Sequence, residues 1–122
     1  VFMNILSNAI DALEEDHAGW IANELEAEPQ QITIRTSILP NKWVEIAIAD
    51  NGIGISEVVK QRIFDPFFTT KPLGKGNGMG MSISYQIITQ KHGGKLECYS
   101  KRGEGTEFLI QIPLYQLASS VE

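Results

Sequence analysis

The chain has a single cysteine, Cys98, and only two histidines, His17 and His92. One thiol can neither close an intrachain disulfide nor build a thiolate metal cluster, which suits a reducing compartment. A lone cysteine in a strand-like segment reads as core filler. Neither histidine stands in a ligand spacing such as H-E-x-x-H, so no metal is assigned to them. A G-x-S-x-G elbow is absent and Cys98 has no evident base, leaving hydrolase triads without support. No long uncharged apolar run occurs and no basic segment opens the chain, so neither a membrane span nor a secretory leader is expected. Basic residues are the minority: ten Lys and Arg against fifteen Asp and Glu give a net charge of −5. That balance repels a polyanion and argues against nucleic acid as a partner.

What is present suffices for one soluble domain. The 122 residues are 43% hydrophobic and 20% charged, enough for a core without covalent staples. The first sixteen residues read as a helix with no capping residue ahead of them, and position 1 is Val. The expectation is a piece of a longer chain, cut inside or just before a helix. The domain is placed at residues 1–115, with 116–122 a frayed polar tail.

Phe2, Ile5, Leu6, Ala9, Ile10 and Leu13 fall at helical spacing and form an apolar stripe. Asn4, Ser7, Asn8, Asp11 and Glu15 gather on the other side, where Asn and Asp are mediocre mid-helix residues. A solvated face explains such a row, and so does a ligand. Residues 17–31 read as a loop or short irregular helix. Ile32, Ile34, Thr36 and Ile38 alternate with polar residues, the turn LPNK follows, and Val44, Ile46 and Ile48 alternate again, which predicts an antiparallel hairpin with one buried face. Ser56 caps a short helix ending at Pro66. A loop with Gly74, Gly76, Gly78 and Gly80 opens a second long helix that Gly93 and Gly94 close. Two further strands, KLECYS and TEFLIQIP, flank the turn KRGEG. Strands with one apolar face call for helices on that face alone. The fold class is therefore α/β: a two-layer sandwich with a mixed, mostly antiparallel sheet.

Two segments carry chemistry. In DNGIGI (50–55), Asp50 shares parity with Val44, Ile46 and Ile48, so its carboxylate leaves the strand toward the helices. A carboxylate aimed inward is costly unless it accepts hydrogen bonds, and a ligand amino group is one source. A plain Asp-Asn-Gly turn is the alternative. Gly52 and Gly54 permit close backbone approach. In GKGNGMGM (74–81), free N–H groups at a helix start favour anions such as phosphate. The spacing is neither that of a P-loop nor that of a dinucleotide fingerprint. Lys71 and Lys75 flank this loop, where charge-assisted contacts to phosphate oxygens would be most useful.

Taken together, NILSNAIDAL (4–13), DNGIGI (50–55), FDPFFTTK (64–71) and GKGNGMGMSI (74–83) resemble the catalytic, ATP-binding domain of sensor histidine kinases. The ending from Lys91 to Leu114, with Gly105 and Thr106, is similar to the last two strands of that domain. The resemblance implies the Bergerat ATP-binding fold, with ATP and Mg2+ as cofactors. By position, Asn8 is the Mg2+ ligand bridging metal and phosphates, and Asn4 is the other polar position of that box. Asp50 accepts from the adenine amino group with Thr106 nearby, and Gly52 and Gly54 line the base. Gly76, Gly78 and Gly80, with Met79 and Met81 in place of the usual leucines, form the second glycine box. Lys75 joins them at the nucleotide, and Asn4 and Lys71 serve the transfer step. Residues 69–77 form the ATP lid, and Phe64, Phe67 and Phe68 anchor it. The implied partners are a phosphoacceptor histidine on a separate dimerisation domain and, indirectly, a response regulator. The implied setting is cytoplasmic, without membrane contact by this domain. A hydrolytic relative typically carries Glu where this chain has Asn4, and an amide cannot take a proton from water. A non-catalytic nucleotide-binding or interaction module is the remaining alternative.

Overall fold

The computed structural model describes residues 1–18, 29–66, 68 and 80–115, with the backbone alone at 15–18. The helix α1 spans Phe2–Ala18, the strands β1 and β2 span Ile32–Ile38 and Trp43–Asp50, and the short helix α2 spans Glu57–Arg62. The helix α3 covers Gly80–Gln86 and continues into a π-helical turn at Ile87–Lys91, followed by β3 at Lys95–Lys101 and β4 at Gly105–Pro113. The four strands form one sheet in the order β1-β2-β4-β3. Each pairing in it is antiparallel, so no parallel pair occurs among the described residues.

The register puts Val44, Ile46, Ile48 and Asp50 opposite Ile112, Ile110, Phe108 and Thr106, and Leu96, Cys98 and Ser100 opposite Ile110, Phe108 and Thr106. Directly opposed residues share a face, so a single apolar surface ends in the polar trio Asp50, Thr106 and Ser100. The core packs on that surface: Ile48, Leu96, Phe108 and Ile110 from the sheet meet Ile5 from α1, Met81 from α3 and Ile88 from the π turn. Phe64 joins it, its ring centroid 5.0 Å from that of Tyr85 and 6.5 Å from that of Phe108. The opposite face is polar, laced by Arg35 to Glu107 at 2.6 Å and Gln111 to Glu45 at 2.7 Å. Helices on one side of a one-faced sheet make the two-layer α/β sandwich that the alternation called for.

Local chemistry explains the ends of the elements. The Ser56 hydroxyl caps α2 by accepting from the Val59 N–H at 3.3 Å. The Gly94 N–H closes the π turn on the Ile88 carbonyl at 2.8 Å, after Gly93 at φ 65°.

Two expectations about burial need correction. Phe2 and Ile10, placed in the buried stripe of α1, are 47% and 48% exposed, while the buried residues of that helix are Ile5 and Ala9. The helix is rolled so that the row carrying Asn4, Asn8 and Asp11 is half-buried. Ile34 and Ile38 are 57% and 70% exposed because β1 is the sheet edge while α1 lies over β2 and β4.

Candidate functional site

Along the half-buried face of α1 the fold makes two anchored contacts, with the amide of Asn8 between them. At the C-terminal end, Gly52 sits on the helix backbone: a β-carbon there would lie 2.9 Å from both the carbonyl carbon and the oxygen of Ala12. At the N-terminal end, the Asn4 Nδ2 donates to the Gly80 carbonyl at 3.1 Å and to the Ser84 hydroxyl at 3.1 Å. The Gly80 oxygen can only accept, which fixes the orientation of the Asn4 amide. Ser84 is fully buried and donates back to the same carbonyl at 2.9 Å, closing the triangle. Asn8 stands midway, half-buried, and among the described residues its side chain has no hydrogen-bond partner. Ala12 and Asn4 are eight residues apart, about 12 Å along the helix axis. That face of α1 meets the loop after Asp50 at one end and the start of α3 at the other, with the Asn8 amide between.

The segment 50–55 is held from three sides. Gly54, at φ 74°, lies so close to the Lys101 carbonyl that a side chain could not be added without moving the backbone. The Gly103 N–H reaches the Ile53 carbonyl at 2.6 Å and the Ile55 N–H donates to the Ser100 hydroxyl at 2.8 Å. Asn51 brackets the chain before β1, donating to the Pro29 carbonyl and accepting from the Gln31 N–H, both at 2.8 Å. The glycines expected to line a base thus have close approaches to make within the protein itself.

Asp50 is half-buried, and its Oδ1 accepts from the Gly52 N–H at 2.9 Å. Burial pushes its carboxyl above the ordinary range, and the N–H groups of Gly52 and Thr106 pull it partly back. A carboxylate in such a setting gains from each further donor it can accept from. Thr106, buried, is its cross-strand partner.

The sequence-assigned residues thus fall into four groups. Asp50, Gly52 and Thr106 lie together, with Gly54 packed on the Lys101 carbonyl, and Gly52 meets α1 at Ala12, one turn beyond Asn8. Asn4, assigned to the transfer step, spends both amide hydrogens on tying α3 to α1, alongside Gly80. Met81 belongs to the core, 9% exposed, because the first turn of α3 is pressed onto the sheet. Lys71, Lys75, Gly76, Gly78 and Met79 lie outside the described residues, as do Phe67, the expected lid and the polar tail. Three residues escaped the sequence reading: Ser84, Ser100 and Asn51. Ser100 did carry a signal, a polar residue on the apolar parity of its strand.

A groove of about 380 Å3 lined by Ile10, Leu13, Glu14 and Gln30 lies on the other flank of α1. Its one amide, on Gln30, already donates to the Leu13 carbonyl at 2.7 Å, and it lacks the convergent polar groups of a ligand site.

Residues 1–116 match the family described as histidine kinase-, DNA gyrase B-, and HSP90-like ATPase. The chain belongs to this ATPase family. Within it, the two-component sensor PprA of Pseudomonas aeruginosa is 40% identical over 93% of the chain and 11% of that protein. Sporulation kinase E of Bacillus subtilis is 35% identical over 97% of the chain and 14% of that protein. The chain therefore spans a small part of these relatives. The solved catalytic domain of histidine kinase ThkA superposes with a TM-score of 0.66 at 34% identity, covering 90% of the chain and 61% of that structure. Among the family's branches, the likeness is to the catalytic domains of sensor histidine kinases. No helix among the described residues is long and apolar enough to cross a membrane.

Proposed function

We propose that the chain is the ATP-binding catalytic domain of a two-component sensor histidine kinase, positioning Mg-ATP to phosphorylate a histidine on a separate dimerisation domain. What supports this reading is a half-buried carboxylate, Asp50, beside a loop that meets α1 at Ala12, one turn beyond Asn8, a half-buried amide with no hydrogen-bond partner among the described residues. Asp50 takes the adenine amino group, with Thr106 beside it. Asn8 is the residue fit to hold Mg2+: its oxygen is a hard donor suited to that ion, and no protein group among the described residues competes for it. When bound, Mg2+ supplies neutralisation of phosphate charge.

Phosphoryl transfer asks the protein for positioning and charge stabilisation rather than covalent help. Asn4 contributes by holding the start of α3, where the second glycine box ends, against the helix that bears Asn8. Because its nitrogen is engaged and its oxygen is not basic, it does not activate water as a Glu would. That favours transfer to an acceptor over hydrolysis. Gly76, Gly78 and Gly80 with Lys71, Lys75 and Met79 complete the phosphate end in this reading. The acceptor histidine lies on a separate dimerisation domain, because neither His17, followed by Ala18, nor His92, followed by Gly93, has the acidic residue after it that the phosphoacceptor histidine of this kinase family carries. A response regulator is the onward acceptor, and the cytoplasm is the setting.

Calorimetric titration of ATP in the presence of Mg2+ tests the reading. Binding that is lost in Asp50→Ala supports it. A well-folded chain that binds no ATP would leave an interaction module. Incubation of this chain alone with labelled ATP should leave no stable phosphohistidine, and robust steady-state hydrolysis would favour a hydrolytic ATPase instead.

A further inference from the structure

At the end of the sheet where β2, β4 and β3 lie side by side, Asp50, Thr106 and Ser100 occupy paired positions on one face. The Ser100 hydroxyl is the hub of this corner. It accepts from the Ile55 N–H at 2.8 Å, donates to the Gly105 carbonyl at 2.8 Å, and lies 2.9 Å from the Thr106 hydroxyl. A serine hydroxyl has one hydrogen and two acceptor positions. The Gly105 carbonyl can only accept, so the Ser100 hydrogen is committed there. One acceptor position takes the Ile55 N–H, and the other is left for Thr106. With the Ser100 hydrogen on the Gly105 carbonyl, the 2.9 Å contact between the hydroxyls is completed by the Thr106 hydrogen, and the threonine oxygen is left with its lone pairs.

The consequence concerns what this corner offers a ligand. A threonine hydrogen free to turn would serve a neighbouring carboxylate or a ligand carbonyl. Locked as it is, it leaves Asp50 and Thr106 as neighbouring acceptors with no side-chain donor between them. We propose that Ser100 is a positioning residue for base selection: by drawing the Thr106 hydrogen away, it keeps this corner an acceptor edge, matched to a 6-amino purine and mismatched to a 6-keto purine. The proposal rests on the ATP-site reading above and deepens it.

The test compares ATP with inosine triphosphate, which differs at the 6-position and the adjoining ring nitrogen, by titration calorimetry in Mg2+. In Ser100→Ala the threonine hydrogen is released. The ratio of ATP to inosine triphosphate affinity should then fall about tenfold, the worth of one ordinary hydrogen bond. In a Thr106→Val background the same Ser100 change should leave the ratio unmoved. If Ser100 only braces the loop through Ile55, both nucleotides weaken together and the ratio is constant, which overturns the proposal. Should Ser100→Ala fail to fold by thermal melting, Ser100→Cys, a near-isosteric poor acceptor, takes its place with the same expected fall. Loss of ATP binding by the unaltered chain would strike the ATP-site reading itself. Intact binding with an unchanged ratio strikes this proposal alone.

Discussion

Replacing Asp50 by Asn should move stability and nucleotide binding in opposite directions. Burial raises the carboxyl above its ordinary value, so the folded chain holds that proton more tightly than the unfolded chain does. Between the two values the folded state carries more protons, and stability falls as pH rises through that window. At neutral pH the charge is a standing cost to the nucleotide-free fold. Asn is close to isosteric, and its one oxygen has two lone pairs to serve both the Gly52 N–H, now 2.9 Å from Oδ1, and the Thr106 N–H, while the charge is removed. The thermal midpoint at pH 7 should rise, and the fall in stability above the ordinary carboxylate range should vanish in the variant. Binding should suffer, because the second oxygen becomes an NH2 that faces the ligand's amino group. Loss of one charge-assisted hydrogen bond costs about 1.5–3 kcal/mol, roughly 10- to 150-fold in Kd. Thermal melts across pH and ATP calorimetry measure both sides. A variant less stable than the parent at pH 7, or one that binds ATP with undiminished affinity, would refute the reasoning.

Other substitutions probe the supports of the site. Gly52→Ala places a β-carbon 2.9 Å from the Ala12 carbonyl, and backbone cannot swing aside, so urea denaturation should record a loss of about 1–3 kcal/mol. Asn4→Ala removes the hydrogen bonds to the Gly80 carbonyl and the buried Ser84 hydroxyl and should cost about 1–3 kcal/mol by the same assay, while Asn8→Ala, which breaks no hydrogen bond among the described residues, should leave the melt nearly unchanged. The Cys98 thiol, pushed up to about 12 by burial, should resist alkylation at pH 8 in the folded chain and react once denaturant opens it.

Much of the fold could be read from alternation, because a period of two leaves no freedom: once Val44, Ile46 and Ile48 face the helices, Asp50 must too. The helix was less legible. Periodicity located an apolar stripe on α1, yet could not say which flank the rest of the protein covers, so Phe2 and Ile10 read as part of the buried side and the asparagine row stayed open between solvent and a ligand. What decides it is the contact of Asn4 with Gly80, 76 residues away, which no local pattern announces. The serines were silent for a similar reason. Ser84 lies inside a helix, where a hydroxyl is unremarkable, and Ser100 gains its meaning only from the register that sets it opposite Thr106. The π turn at 87–91 continues α3 with the same apolar spacing, so nothing in Ile-Ile-Thr-Gln-Lys separates the two.

In the proposed function, α1 grips the metal-bearing end of a nucleotide through Asn8 while Asp50 holds the base. Calorimetry of ATP with Mg2+ and then with EDTA, on the parent and on Asn8→Ala, tests it most directly. The parent should bind ATP more tightly with the metal than without it, and Asn8→Ala should erase that difference while retaining the weaker, metal-free affinity. An Asn8→Ala chain that keeps the parent's full metal dependence would contradict the account.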